Sequence, residues 1–191
     1  MRAFLLWSIF AACSAAPAKP LPPPPPPPPP VQPSEPSEPT GIPVGYVDAH
    51  VMQVVALPEG AAVLLLDETT MTVLPIFIGG TEATSIDLRM RHAPPQRPLT
   101  HDLLDAVMKK LHGTLVKVQV DELRDGIYFG SVFIRSERRV MKLDSRPSDA
   151  LALAIGNHVP IYVAKKVFEE AGIQKDEILR QLAPATGGPT T

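Results

Sequence analysis

Hydrophobic and polar positions follow two rhythms along this chain, and the switches between them mark out its elements. Val44 to Ala56 reads as a strand, Pro58-Glu59-Gly60 as a turn, and Ala62 to Leu66 as an apolar run of the length a buried strand takes. Asp67 to Thr70 turn the chain, and Met71 to Ile78 form a third strand. Gly79-Gly80-Thr81 then opens a helix in which Ala83, Ile86 and Met90 share one face while Glu82 and Arg89 point elsewhere. Pro94, Pro95 and Pro98 make Ala93 to Pro98 a loop. A second helix runs from Thr100 to about His112, with Gly113 as its stop. Leu103, Leu104, Val107, Met108 and Leu111 give it an apolar stripe, and His101, Asp105 and Lys109 a polar line at four-residue spacing.

A period of two then takes over. Val116, Val118 and Val120 face one way, and Lys117, Gln119 and Asp121 the other. Arg124-Asp125-Gly126 is a hairpin turn, Ile127 to Arg135 returns, and Val140 to Leu143 is a further antiparallel strand. A helix at Pro147 to Gly156, a short strand at Pro160 to Val163 and a final helix from about Lys165 to Ala171 complete the pattern. Hairpins dominate and helices fall between groups of strands. The expected fold is therefore α+β: a single domain with a mixed, largely antiparallel sheet and about three to four helices.

Two helix starts share their chemistry. RPLTHDLL (Arg97 to Leu104) and LDSRPSDALALAI (Leu143 to Ile155) each set an arginine, a proline, a hydroxyl residue and an Asp ahead of an apolar run. A Thr100 or Ser148 hydroxyl can cap a helix by accepting a backbone N–H, and proline needs no such partner. Helix N-termini favour anions, so both clusters suit phosphate. If the two starts are neighbours in the fold, Arg97, His101, Asp102, Arg146 and Asp149 line one groove.

Composition narrows the picture. The net charge is −2 over 191 residues, and residues 44–175 hold 15 Lys and Arg against 16 Asp and Glu. A general nucleic-acid binder carries a positive excess, so any phosphate site must be local. The one cysteine, Cys13, lies ahead of the domain, which excludes an intrachain disulfide and a Cys-based zinc site. Residues 1–13, a basic start and apolar run ending at Cys13, resemble a bacterial lipoprotein signal with Cys13 as the lipidated residue. Residues 14–43 form a Pro-rich linker, unbroken from Pro22 to Pro30 and stiff as a polyproline II spacer. Residues 44–175 are the domain, and residues 176–191 a partly disordered tail. The expected location is the cell envelope of a bacterium, lipid-anchored or exported; the alternative is a hydrophobic N-terminus on a cytoplasmic protein.

Candidate chemistry is confined to a few residues. His101 suits general acid or base work near neutral pH. Asp102, Asp105, Glu82, Asp144 and Asp149 offer oxygen ligands for magnesium. Arg97 and Arg146 offer bidentate forks for phosphate. Simpler roles stand beside these. A first-turn carboxylate such as Asp102 or Asp149 stabilises its helix by about 0.3–1 kcal/mol, and Asp105 with Lys109 makes a solvated ion pair. HExxH, GxSxG and Walker patterns are absent, which removes support for metalloprotease, hydrolase-elbow and NTPase readings.

Five segments in order carry a resemblance. With the two helix starts, LPIFIGGTEATSI (Leu74 to Ile86), ELRDGIYFGSV (Glu122 to Val132) and VPIYVAKKVFEEAGI (Val159 to Ile173) look like the bifunctional nuclease family, over roughly Val47 to Ile173. The resemblance implies a nuclease acting on DNA and RNA, for which His101, Asp102, Glu82 and Asp149 are the catalytic candidates and Arg97 and Arg146 the nucleic-acid-binding candidates. It also implies a homodimer with a large groove, and magnesium is the cofactor the carboxylates suit. Two other classes fit the composition: a non-catalytic, envelope-anchored binding or scaffolding module, and a binder of a small anion at the helix N-termini.

Overall fold

The computed structural model describes residues 41–182. The signal-like segment with Cys13, most of the Pro-rich linker and the end of the tail lie outside the described residues. Eight strands and five helices follow in the order β1 (Tyr46–Leu57), β2 (Gly60–Asp67), β3 (Thr72–Ile78), α1 (Gly80–Met90), α2 (Thr100–Lys110), β4 (Gly113–Arg124), β5 (Ile127–Ser136), β6 (Arg139–Ser145), α3 (Pro147–Asn157), β7 (Ile161–Ala164), α4 (Lys165–Ala171), β8 (Ile173–Gln174) and α5 (Lys175–Leu182). The strands form one sheet ordered β6-β5-β4-β7-β1-β2-β3-β8. Among the described residues only the β4–β7 pairing is parallel; the others are antiparallel. The fold is thus the α+β architecture with the mixed, mostly antiparallel sheet that the hairpin spacing calls for.

The apolar run of β2 is buried on both faces. Ala61, Val63 and Leu65 join the main core with Leu74, Ile76, Ile86 and the apolar side of α3, while Ala62, Leu64 and Leu66 pack on the reverse face with Val73 and Ile178 of α5. That second layer explains the helix that the sequence pattern does not resolve: α5 covers the reverse face of β2 and β3, so residues 175–182 are part of the domain and not tail. The Tyr128 hydroxyl donates to the Pro75 carbonyl at 3.3 Å, which ties β5 to β3 and shows that the sheet curls.

Two local expectations fail for physical reasons. The alternation through β4 is broken by irregular pairings on either side of Val116 and Asp121. A residue inserted at Val116 shifts the phase, so Leu115, not Val116, shares the core with Val118 and Val120. Asp121 is left to accept bonds from the Tyr46 and Ser131 hydroxyls and to pair with Lys142 at 3.2 Å. The second failure is α2. It buries His101 and Met108 and leaves Leu103, Leu104, Val107 and Leu111 exposed. His101 and Asp105 of its polar line face the protein because α1 and α3 present polar partners there, while Lys109 and all of the apolar stripe but Met108 face out.

The hairpin turn forms as expected. Asp125 and Gly126 both take positive φ, 51° and 75°, the two-residue turn whose twist matches the flanking strands.

Candidate functional site

Three helices meet at one polar cluster. The first contributes Glu82, Ser85 and Arg89, which recur at helical spacing on a face separate from the core side. Helix α2 contributes His101, Asp102 and Asp105, and α3 contributes Arg146 at its N-cap, Asp149 and Asn157. Neither hydroxyl caps its helix. Leu99 is the N-cap of α2, and Asp102 reaches back to accept its N–H at 2.8 Å; Arg146 is the N-cap of α3, with Pro147 at the first helical position. Thr100 therefore sits one place, and Ser148 two places, too late to cap.

The cluster has two connected parts. In the first, the His101 ring bridges Ser85 and Asp149: Nδ1 lies 2.9 Å from Ser85 Oγ and Nε2 lies 3.1 Å from Asp149 Oδ1. An ionised carboxylate only accepts, so Nε2 carries the proton. Arg146 donates from Nε to Asp149 Oδ2 at 2.7 Å and from one Nη to Glu82 Oε1 at 2.7 Å and Asp149 Oδ1 at 3.0 Å. Burial works to raise the Asp149 carboxyl, but the bonds and charges of Arg146 and His101 outweigh it and hold the group below its usual range. The same bonds from Asp149 and Glu82 push the Arg146 guanidinium still further up, so it stays charged. Arg146 is nonetheless 66 % exposed, whereas the His101 side chain is 9 % exposed.

In the second part, Arg89 takes the central place. One Nη donates to Asp102 at 2.7 Å and forms an ion pair with Asp105 at 2.8 Å, and the other donates to the Ala152 carbonyl at 3.0 Å. Asp105 also accepts from the Asn157 amide at 2.7 Å, so it is paired inward and not with Lys109.

The two Arg-Pro helix starts do converge, with one exception. Glu82, Arg146, Asp149 and His101 form one chain of contacts, and Asp102, the residue after His101, is held by Arg89 from the helix that also carries Glu82 and Ser85. Arg97 does not join: it is exposed in the proline-bound loop before α2 and forms no ion pair among the described residues. The guanidinium expected beside Asp102 comes instead from Arg89, because a rigid helix face aims a side chain inward where the loop aims it out. Asp144 lies on β6 opposite Ser131 and makes no hydrogen bond or ion pair with the cluster among the described residues. Ser85 and Arg89 are the residues missed from the sequence. Their signal was present, since both stand at helical spacing from Glu82 on the face that Ala83, Ile86 and Met90 do not use.

A family model described as the bifunctional nuclease domain matches residues 63–176, more than half of the chain. The chain belongs to the bifunctional nuclease domain family. The span assigned to the bifunctional nuclease domain contains every residue of the cluster, from Glu82 to Asn157. Over 117 residues the chain is 38 % identical to an uncharacterized protein of Mycobacterium tuberculosis, covering 61 % of this chain and 70 % of that one. It is 23 % identical over 120 residues to Bifunctional nuclease 1 of Oryza sativa, covering 61 % of this chain and 36 % of the rice protein. It is 25 % identical over 136 residues to Bifunctional nuclease 1 of Arabidopsis thaliana, covering 69 % and 42 %. The chain thus spans well under half the length of the plant proteins that carry the nuclease name.

Proposed function

We propose that this chain is a nuclease that hydrolyses phosphodiester bonds of both DNA and RNA with magnesium, at the cluster of Glu82, His101, Arg146 and Asp149. The charge of the cluster carries the proposal. Four carboxylates (Glu82, Asp102, Asp105, Asp149) face two guanidiniums, leaving two negative charges in surplus with His101 neutral. A phosphodiester is repelled from such a spot unless a cation comes with it. No group of three or more His, Cys, Asp or Glu that would cage a metal exists among the described residues. Magnesium needs less: one or two carboxylates, several waters and the substrate phosphate complete its shell. Glu82 and Asp149, joined through one Arg146 nitrogen, are such a pair. Bound there, the ion would offset the surplus charge and polarise a phosphoryl oxygen.

The chain's own groups do the rest. Arg146, the exposed member, turns from the carboxylates to the phosphate oxygens with its bidentate fork. Once Nδ1 is protonated as well, His101 can give its Nε2 proton to the leaving oxygen and return to the neutral ring. Ser85, only 2 % exposed, fixes the ring from the other nitrogen and is not presented as a nucleophile. Asp102 is a positioning residue, holding α2 through Leu99 and Arg89.

The test uses the full chain, stripped of metal, with plasmid DNA and an RNA transcript. Cleavage of both is expected on adding magnesium, and His101→Ala is expected to lower it roughly 100-fold or more. No cleavage of either substrate with magnesium overturns the proposal and favours the non-catalytic, envelope-anchored scaffolding module.

Homodimerisation is part of the same reading, supported by the outward stripe of α2. Leu103, Leu104, Val107 and Leu111 are exposed together, and Met141 and Leu143 of the edge strand β6 oppose core-side residues Ile134 and Val132. An exposed apolar helix face and an unpaired strand edge each suit a self-complementary contact. Light scattering of wild type and Leu104→Glu is expected to give a dimer and a monomer; a monomeric wild type removes this element. Anchoring through Cys13 rests on the signal-like run before it, and is checked by palmitate labelling that Cys13→Ser abolishes.

A further inference from the structure

A cavity of about 510 Å³ opens beside the cluster, between the C-terminal ends of α1 and α3 and the proline loop before α2. That size lies within the roughly 300–1,000 Å³ that small-molecule sites span. Its walls are apolar at Pro94, Pro95 and Ile155 and polar at Asp102, Asp105 and Arg89. At its mouth stand His92 and His158. Both follow helix ends in the left-handed region, with φ of 52° and 53°, and their ring centroids are 5.9 Å apart. Ser85 lines the same cavity and bonds to His101, so the cavity adjoins the proposed reaction site directly.

We propose that this cavity binds a nucleobase bearing an exocyclic amine: adenine, cytosine or guanine. The inference rests on the nuclease reading for its choice of ligand, but its chemistry is local. Each oxygen of Asp102 and Asp105 has one partner within the protein: hydrogen bonds from Arg89 and Leu99 to Asp102 and from Asn157 to Asp105, and an ion pair with Arg89 at the second Asp105 oxygen. A carboxylate oxygen takes about two, so acceptor capacity is left over. Arg89 is the complementary group: its side chain is 9 % exposed, and its Nε–H is buried with no hydrogen-bond partner. A ligand that suits these walls is flat and apolar in body, donates N–H to carboxylates and accepts from a guanidinium. Amino-bearing bases have that edge, and acidic side chains accept from such amines in nucleic-acid recognition. Uracil and thymine present carbonyls where the amine would be, which two carboxylates repel. Imidazole rings and proline faces give the stacking surfaces that splayed bases use.

The experiment follows the histidine C2–H resonances of the full wild-type chain while adenosine, cytidine or uridine is added to about 10 mM, enough to fill a site of millimolar affinity. His92→Asn and His158→Asn assign the two resonances, asparagine being tolerated at positive φ. Adenosine and cytidine are expected to shift both resonances, with uridine at least ten-fold weaker. Ala93→Trp, which puts a large ring on the cavity wall, is expected to abolish the shifts while leaving the remaining spectrum folded. Absence of shifts, an equal response to uridine, or shifts that survive Ala93→Trp would each overturn the inference. Cleavage assays separate it from the parent proposal. A chain that binds cytidine here but cuts neither DNA nor RNA retains the base site and loses the nuclease reading. A chain that cuts both, with no nucleoside response, does the reverse.

Discussion

Arg89→Met is the sharpest test of the three-helix arrangement. The guanidinium is almost wholly buried and serves three acceptors on two other helices: Asp102, Asp105 and the Ala152 carbonyl. Methionine keeps most of the stem and removes every donor. Asp105, 13 % exposed, then becomes a buried carboxylate with only Asn157 beside it, and the Ala152 carbonyl loses its partner. Removing one member of a buried pair costs about 3–5 kcal/mol, chiefly because the other charge is stranded. Asp102 is 31 % exposed, so water offsets its share and the lower half of that range applies. With a urea slope of about 2 kcal/mol/M, the unfolding midpoint should fall by roughly 1.5–2 M at unchanged slope. Removing the stranded charge as well, in Arg89→Met with Asp105→Leu, should restore a large part of the loss. A single-variant midpoint within about 0.5 M of wild type, or a double variant worse than the single one, would refute the view that Arg89 holds α1, α2 and α3 together.

Other outcomes follow from the same coordinates. Gly156→Ala should be destabilising by denaturant unfolding, because a Cβ there would overlap the Arg89 Nη1; Arg89→Met should relieve that overlap, so the two losses should not add. Asp149 has its carboxyl held below the ordinary value near 3.9, so its stabilising contribution is present above about pH 4 and is lost as pH falls through the lower native value. The stability gap between wild type and Asp149→Asn, read from urea midpoints, should therefore close on acidification below about pH 4 and not on going to alkaline pH. Arg146→Lys should keep the charge but lose the fork, weakening substrate binding more than turnover; a changed kcat with unchanged KM would contradict a phosphate-binding role. Asp121→Ala should cost about 2 kcal/mol, since it leaves the Tyr46 and Ser131 hydroxyls without their shared acceptor.

Local signals carried the fold well because most of its elements are specified by short-range chemistry. The Asp125-Gly126 turn, the apolar run of β2 and the Pro147 start of α3 each identify themselves within a few residues. What escaped was set by distant partners. The orientation of α2 is decided by Arg89 and Asn157, which attract Asp102 and Asp105 and overrule an apolar stripe that by itself predicts the opposite face inward. The shift at Val116 depends on how β5 pairs, which one strand's alternation does not reveal. At the candidate site, similar chemistry at two helix starts did point to their convergence. Arg97 and Arg89 show the limit of that logic, for an arginine's sequence distance from an aspartate says little when one is on a proline loop and the other on a helix face.

The inverted helix also ties the site to the outer surface. For α2 to turn its carboxylates inward, it had to expose four large apolar side chains, and a helix carrying that penalty alone would gain by rolling over. Two terms oppose the roll: the buried Arg89 network, and whatever covers the outward stripe. If a second copy covers it, assembly and site geometry are coupled through one rigid helix, because loosening the stripe frees α2 to rotate and withdraw His101 from Asp149. A monomeric Leu104→Glu chain should then lose part of the His101–Asp149 contact as well as its partner, visible as a displaced His101 ring resonance by NMR at constant pH. An unmoved resonance in that monomer would mean that Arg89 alone is sufficient to fix the helix, and that the apolar stripe belongs to assembly only.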